Sequence, residues 1–138
     1  MEAFIDDLGS IGAWMGMSLV MMCVGFLVVD LLTPGHLRTQ VSQSINAALL
    51  VAGKLISVGI IISIAVWTAD DEIREGLTHA GLYSVTGIVI SALMFLLLDL
   101  ALPAKLRDLV QETEFDPASV VAMGAEIAVA LVIAASLS

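Results

Sequence analysis

The chain has 138 residues, 59% of them hydrophobic and 14% charged, with a formal net charge of −9. An ordinary soluble domain is roughly 45–50% apolar and about 25% charged, so a globular fold of this length has no interior large enough for the apolar surface. The acidic balance also excludes nucleic acid as a partner, because a polyanion needs a basic surface.

Four apolar runs follow one another: Ile11–Leu32, Ala47–Trp67, Gly81–Leu102 and Ala118–Leu137. A helix of about 20 residues, rising about 1.5 Å per residue, crosses a hydrocarbon core of about 30 Å. None of the runs alternates apolar with polar, so strands are excluded, and in lipid the helix satisfies its own backbone. The expected fold is an all-α integral membrane protein, a single membrane domain over 1–138 with four transmembrane helices. The N-terminal MEAFIDD is acidic, whereas a cleavable signal opens on a basic stretch; the first helix is expected to stay. Cys23, alone in the chain, reads as a small packing residue in the first span. The methionine-rich stretch 15–22 reads as lipid or core packing. Gly12 and Gly16 form a GxxxG step, and Gly87 and Ser91 a similar one, the spacing of close helix–helix contact.

A thirteen-residue pattern occurs twice, 69 positions apart: FLVVDLLTPGHLR at 26–38 and FLLLDLALPAKLR at 95–107. Phe26/Phe95, Leu27/Leu96, Asp30/Asp99, Leu31/Leu100, Pro34/Pro103, Leu37/Leu106 and Arg38/Arg107 coincide. The repeated unit is a helical hairpin, repeat one about 11–67 and repeat two about 81–138. Two tandem parallel repeats predict a pseudo-two-fold axis along the membrane normal. Pro34 and Pro103 end each first helix and can start the next. Leu37, Val41 and Ile45, and then Leu106 and Val110, recur at four-residue steps, which predicts a short amphipathic cytoplasmic segment after each proline. In the central loop, Thr68 is expected to cap a short solvated helix carrying the acidic run 70–75.

The connections at 33–46 and 103–117 hold Arg38, Lys105 and Arg107, and the central loop holds only Arg74. The positive-inside rule then places the first and third loops in the cytoplasm and both termini outside. Trp14, Trp67 and Tyr83 fall at the outer ends of their helices in that arrangement, as an aromatic belt requires.

Asp30, Lys54, Asp99 and Glu126 lie within the spans. A charge at mid-membrane costs on the order of 2.5–3.5 kcal/mol, so each needs a partner, water or neutralisation. Asp30 and Asp99 sit near the inner ends, where the helix dipole disfavours a carboxylate. Arg38 and Arg107 follow across the proline turn. Either these groups form a turn clamp with Pro34 and Pro103, or the aspartates line an inner mouth for cations or protons. Glu126 stands in a stripe of small residues, Ala118, Ala122, Ala130 and Ala134, and therefore faces protein or a cavity. Lys54 is the other deep charge. An ion pair between them, a protonatable Glu126 in an ion path, and a permanently neutral glutamic acid all remain open.

The sequence carries no nucleophile elbow, phosphate-binding glycine loop or paired-cysteine metal site. No catalytic residue, metal or cofactor is expected, and the chain does not read as an enzyme. The run PGHLRTQVSQSINAALLVAGK at 34–54, with its weaker echo at 103–124, resembles the YjfL-like bacterial inner-membrane proteins (DUF350, a domain of unknown function). Asn46, Ala47, Ala48 and Gly53 match that family's entry into the second span, while Asp116, Pro117 and Ala118 depart from it in the second copy. The resemblance covers nearly the whole chain. It implies a four-span fold of two hairpins and the bacterial plasma membrane, but no residue-level activity. It also hints at a partner of the envelope-stress type. Two functions compete: an oligomeric subunit passing ions or small solutes, using the intramembrane charges, and a non-transporting scaffold recruiting a cytoplasmic protein through basic loops.

Overall fold

A computed structural model describes residues 2–32, 37–69, 72–101 and 106–138; the side chains of residues 2, 3, 37, 38, 106 and 107 lie outside that description. The described chain is helical: α1 Glu2–Leu32, α2 Leu37–Gln43, α3 Ile45–Trp67, α4 Ile73–Ala101, α5 Leu106–Gln111 and α6 Pro117–Leu137. α1, α3, α4 and α6 are long and apolar enough to cross a membrane. The short α2 and α5 come after Pro34 and Pro103 in the chain, and these prolines lie outside the described residues.

Two helices begin earlier than hydropathy suggests. α1 runs from Glu2 and α4 from Ile73, ahead of the expected Ile11 and Gly81. Apolarity marks where a helix enters lipid, not where its backbone starts to coil. The polar stretch Ile73–Ala80 simply continues outwards as the first two turns of α4, with Glu75 in its first turn favourably placed for the helix dipole. Among the described residues the acidic run leads into α4 rather than forming a separate short helix. Thr68 instead ends α3, its hydroxyl donating to the Ile64 carbonyl at 2.9 Å.

α3 packs most extensively on α6, and this pair forms the centre. α1 packs on α3 and α4, and α4 on α3 and α6. A strict two-fold would match the α3–α4 contact with an α1–α6 contact. Among the described residues α1 and α6 share none of comparable extent, so the hairpins depart from a strict two-fold.

Glycine sets the closest approaches. A β-carbon added at Gly53 would lie 2.7 Å from Met123 Cγ and 3.1 Å from Met123 Cα, so α3 and α6 meet backbone to backbone there. Gly25 lets α1 close on Val58, and Gly87 lets α4 close on Ile61 and Ile133. Gly12 and Gly16 have no neighbour within 4 Å and face outwards. Cys23 is likewise exposed on the outside of α1 rather than packed within. Met21 and Met22 pack against Val58, Ile62 and Ile88, whereas Met15 is exposed.

Four hydroxyls inside the spans bond to their own helix, while the buried Ser84 Oγ has no hydrogen-bond partner among the described residues. Ser57, Ser63, Thr86 and Ser136 each donate to the carbonyl four residues back at 2.7–2.8 Å, which keeps them satisfied without water.

A second joint lies where α3 and α6 begin. Ser44 breaks α2 from α3 with extended backbone (φ −131°, ψ 126°) and caps α3. Its hydroxyl also donates to the Glu112 carbonyl at 2.6 Å. Asn46 is fully buried. Its amide nitrogen donates to the Glu114 carbonyl at 2.6 Å, and its oxygen accepts from the Asp116 backbone N–H at 2.9 Å. Asp116 in turn caps α6, accepting from Ala118 N–H at 2.8 Å, with Pro117 at the helix start. Asn46 at the start of α3 thus holds the segment that leads into α6, where Asp116 is the cap. Asn46→Ala removes two part-buried hydrogen bonds, to the Glu114 carbonyl and from the Asp116 N–H, at about 0.5–1.5 kcal/mol each. The variant should melt earlier in mild detergent and be cut by protease within 112–116; an unchanged melting curve and cleavage pattern would remove this joint from the account.

Candidate intramembrane charge site

Lys54 and Glu126 each lie nine residues beyond the first residue of their helix, Ile45 and Pro117, which is about 13 Å along it. α3 and α6 begin at the same joint, so the two side chains reach the same level. The Lys54 ammonium donates a hydrogen bond to Glu126 Oε1 across the α3–α6 contact. Each residue is 5% exposed. The glycine contact at Gly53 lies beside Lys54 and brings the backbones close enough for the pair to form.

α4 supplies a third component. The Phe95 ring lies under the Lys54 ammonium, 3.6 Å from Nζ to the ring centroid. Such a contact is worth about 2 kcal/mol or more when desolvated. It also lies on the α3–α4 contact that has no α1–α6 counterpart, and so gives a physical cause for the departure from two-fold symmetry. Glu126 Oε2 is buried with no hydrogen-bond partner among the described residues.

Ala122, Ala130 and Ala134 are buried on the face of α6 that carries Glu126, and Ala118 is half-buried at its start. Asp30 and Asp99 are half-buried in the last turns of α1 and α4. The turn clamp of Pro34, Arg38, Pro103 and Arg107 falls outside the described residues and side chains. Among the described residues, no group of three or more His, Cys, Asp and Glu side chains comes together.

The family model for DUF350, a domain of unknown function, matches residues 3–137. The chain belongs to the DUF350 family. This DUF350 chain is 28% identical over 127 residues to a UPF0719 transmembrane protein of Mycolicibacterium paratuberculosis, covering 91% of this chain and 84% of that one. It is 31% identical over 119 residues to UPF0719 transmembrane proteins of Mycobacterium bovis and Mycobacterium tuberculosis, covering 85% of this chain and 78% of each. No solved structure matches it. The four apolar helices and these relatives together make it a multi-pass transmembrane protein.

The roles of three residues escaped sequence reasoning. Phe95 stood out only as a member of the repeat, because a ring beneath an ammonium depends on which face of α4 meets α3. Ser44 and Asn46 were visible as polar residues at the entry to an apolar span, a signal that marks a buried polar joint.

Proposed function

We propose that this protein is a subunit of a homo-oligomer that passes ions or small solutes across the bacterial inner membrane, with Lys54 and Glu126 as its charged centre. Glu126 Oε2 carries this reading: a carboxylate oxygen deep in an apolar span, buried and without a hydrogen-bond partner among the described residues. Buried charge in a membrane is costly and marks ion and proton paths. A purely structural pair would be expected to use both carboxylate oxygens. In this reading both termini lie outside, the two hairpins are tandem parallel repeats, and the protein is not an enzyme and uses no cofactor. Asp30 and Asp99 stand near the inner mouth of the path.

A flux assay on purified protein in proteoliposomes tests the proposal. Wild-type protein should pass a small ion, and Glu126→Gln should lower the rate at least about tenfold while keeping its helicity and oligomeric size. Equal flux from both proteins would refute the role of Glu126.

A second reading has its own support. The connection 112–116 is held by Ser44 and Asn46 and leaves Glu112, Glu114 and Phe115 exposed. A non-transporting scaffold recruiting a cytoplasmic partner would use such a fixed surface. Among the described side chains its exposed charge is acidic, with Asp108 adding to it, and a basic partner fits that charge.

A further inference from the structure

We infer that Glu126 Oε2 is a proton-binding site within the membrane, formed by the Lys54 ammonium and the Phe95 ring. The inference rests on the reading of this pair as the working charge centre and names what it binds.

Three chemistries relieve a buried carboxylate oxygen that has no partner: a hydrogen-bond donor, a metal cation or a proton. The groups packed around it select among them. From α3 the only titratable side chain is Lys54, already bonded to Oε1. From α4 comes Phe95, with half-buried Asp99 one turn further along the same face and Arg74, Glu75, His79 and Tyr83 towards the opposite end. From α5 comes Asp108, which is exposed, and Arg107, whose side chain lies outside the described residues. On α6 itself Asp116 is occupied at the helix cap. Among the described residues no group of three or more His, Cys, Asp and Glu side chains gathers to make a metal site. The adjacent ammonium repels a metal cation. A proton, bound covalently to oxygen, tolerates that neighbour.

Protonation forms one O–H bond at Oε2 while an O–H bond of hydronium breaks and leaves water, and no group changes oxidation state. Oε1 remains available to accept from Lys54. The pair passes from neutral to a single positive charge, and the Phe95 ring, 3.6 Å from the ammonium, stabilises that state. The loaded form therefore keeps the α3–α6 contact, and the proton enters and leaves without separating the helices.

Infrared difference spectroscopy on the full-length protein in lipid bilayers tests this, stepping between about pH 9 and about pH 4, a range that brackets carboxyl titration. The wild type should gain the carbonyl stretch of a buried carboxylic acid on acidification. That band should vanish in Glu126→Gln and change frequency in Glu126→Asp, which keeps a carboxyl if the glutamine variant does not fold. Spectra of wild type and both variants that superimpose would overturn the proton site. Loss of the band on adding sodium or potassium at constant pH would also overturn it, because a cation would then compete for Oε2. The band reads proton binding whether or not any ion crosses. A Glu126 band in vesicles without flux upholds the proton site and removes permeation; flux with no Glu126 band does the reverse.

Discussion

Removing one member of the Lys54–Glu126 pair should destabilise the bundle far more than removing both. Lys54→Met leaves a carboxylate in an apolar contact with nothing to compensate it, and the loss should be about 3–5 kcal/mol. Glu126→Leu leaves the ammonium with only the Phe95 ring and should cost a similar amount. The double variant fills the α3–α6 contact with apolar side chains of comparable size. Buried pairs replaced in this way are often near neutral, so the double variant should recover most of the loss. Denaturation in mild detergent, taken round the full cycle of single and double variants, gives the coupling directly. Losses that simply add would mean that the two charges do not act on each other. Glu126→Gln is milder than either single change because its amide oxygen still accepts from Lys54. That makes it the suitable variant for flux.

Gly53→Leu should be the most damaging of the glycine changes. A β-carbon there meets the Met123 backbone at 3.1 Å as well as its side chain, so relief requires α3 and α6 to part. Overpacking by one methyl costs about 1–3 kcal/mol, and the leucine adds three carbons more. Moving the helices apart also separates Lys54 from Glu126, so the loss of packing brings a loss of pairing. Gly87→Ala should be better tolerated, because the atom met at 2.3 Å is a side-chain methyl of Ile61. Gly16→Leu should leave the melting of the single chain unchanged, since nothing lies within 4 Å of that position. A Gly53→Leu protein that melts with the wild type would contradict the backbone contact.

The four spans could be read from composition because lipid imposes one demand, a long apolar helix, and only four stretches meet it. The helix starts at Glu2 and Ile73 could not, because coiling beyond the lipid surface leaves no hydropathic mark. Lys54 and Glu126 were visible as a basic and an acidic residue at similar depth in apolar helices. Which face each turned to was not. Lipid-facing and protein-facing sides are both apolar, so periodicity gives no direction. The same blindness explains the glycines. Gly12 and Gly16 have the spacing of a contact and face outwards, while Gly25, Gly53 and Gly87 make the contacts. The Asn46 joint links residues 66–70 positions apart, and only the packing of the hairpins brings them together.

The central claim is that one ion pair at mid-membrane joins α3 to α6. Solid-state NMR on the full-length protein in bilayers measures it directly, through dipolar coupling between labelled Lys54 Nζ and Glu126 Cδ. The account predicts strong coupling, corresponding to ion-pair contact with nitrogen and oxygen within about 4 Å, that is lost in Gly53→Leu. Well-resolved signals from both sites with no coupling between them would contradict it.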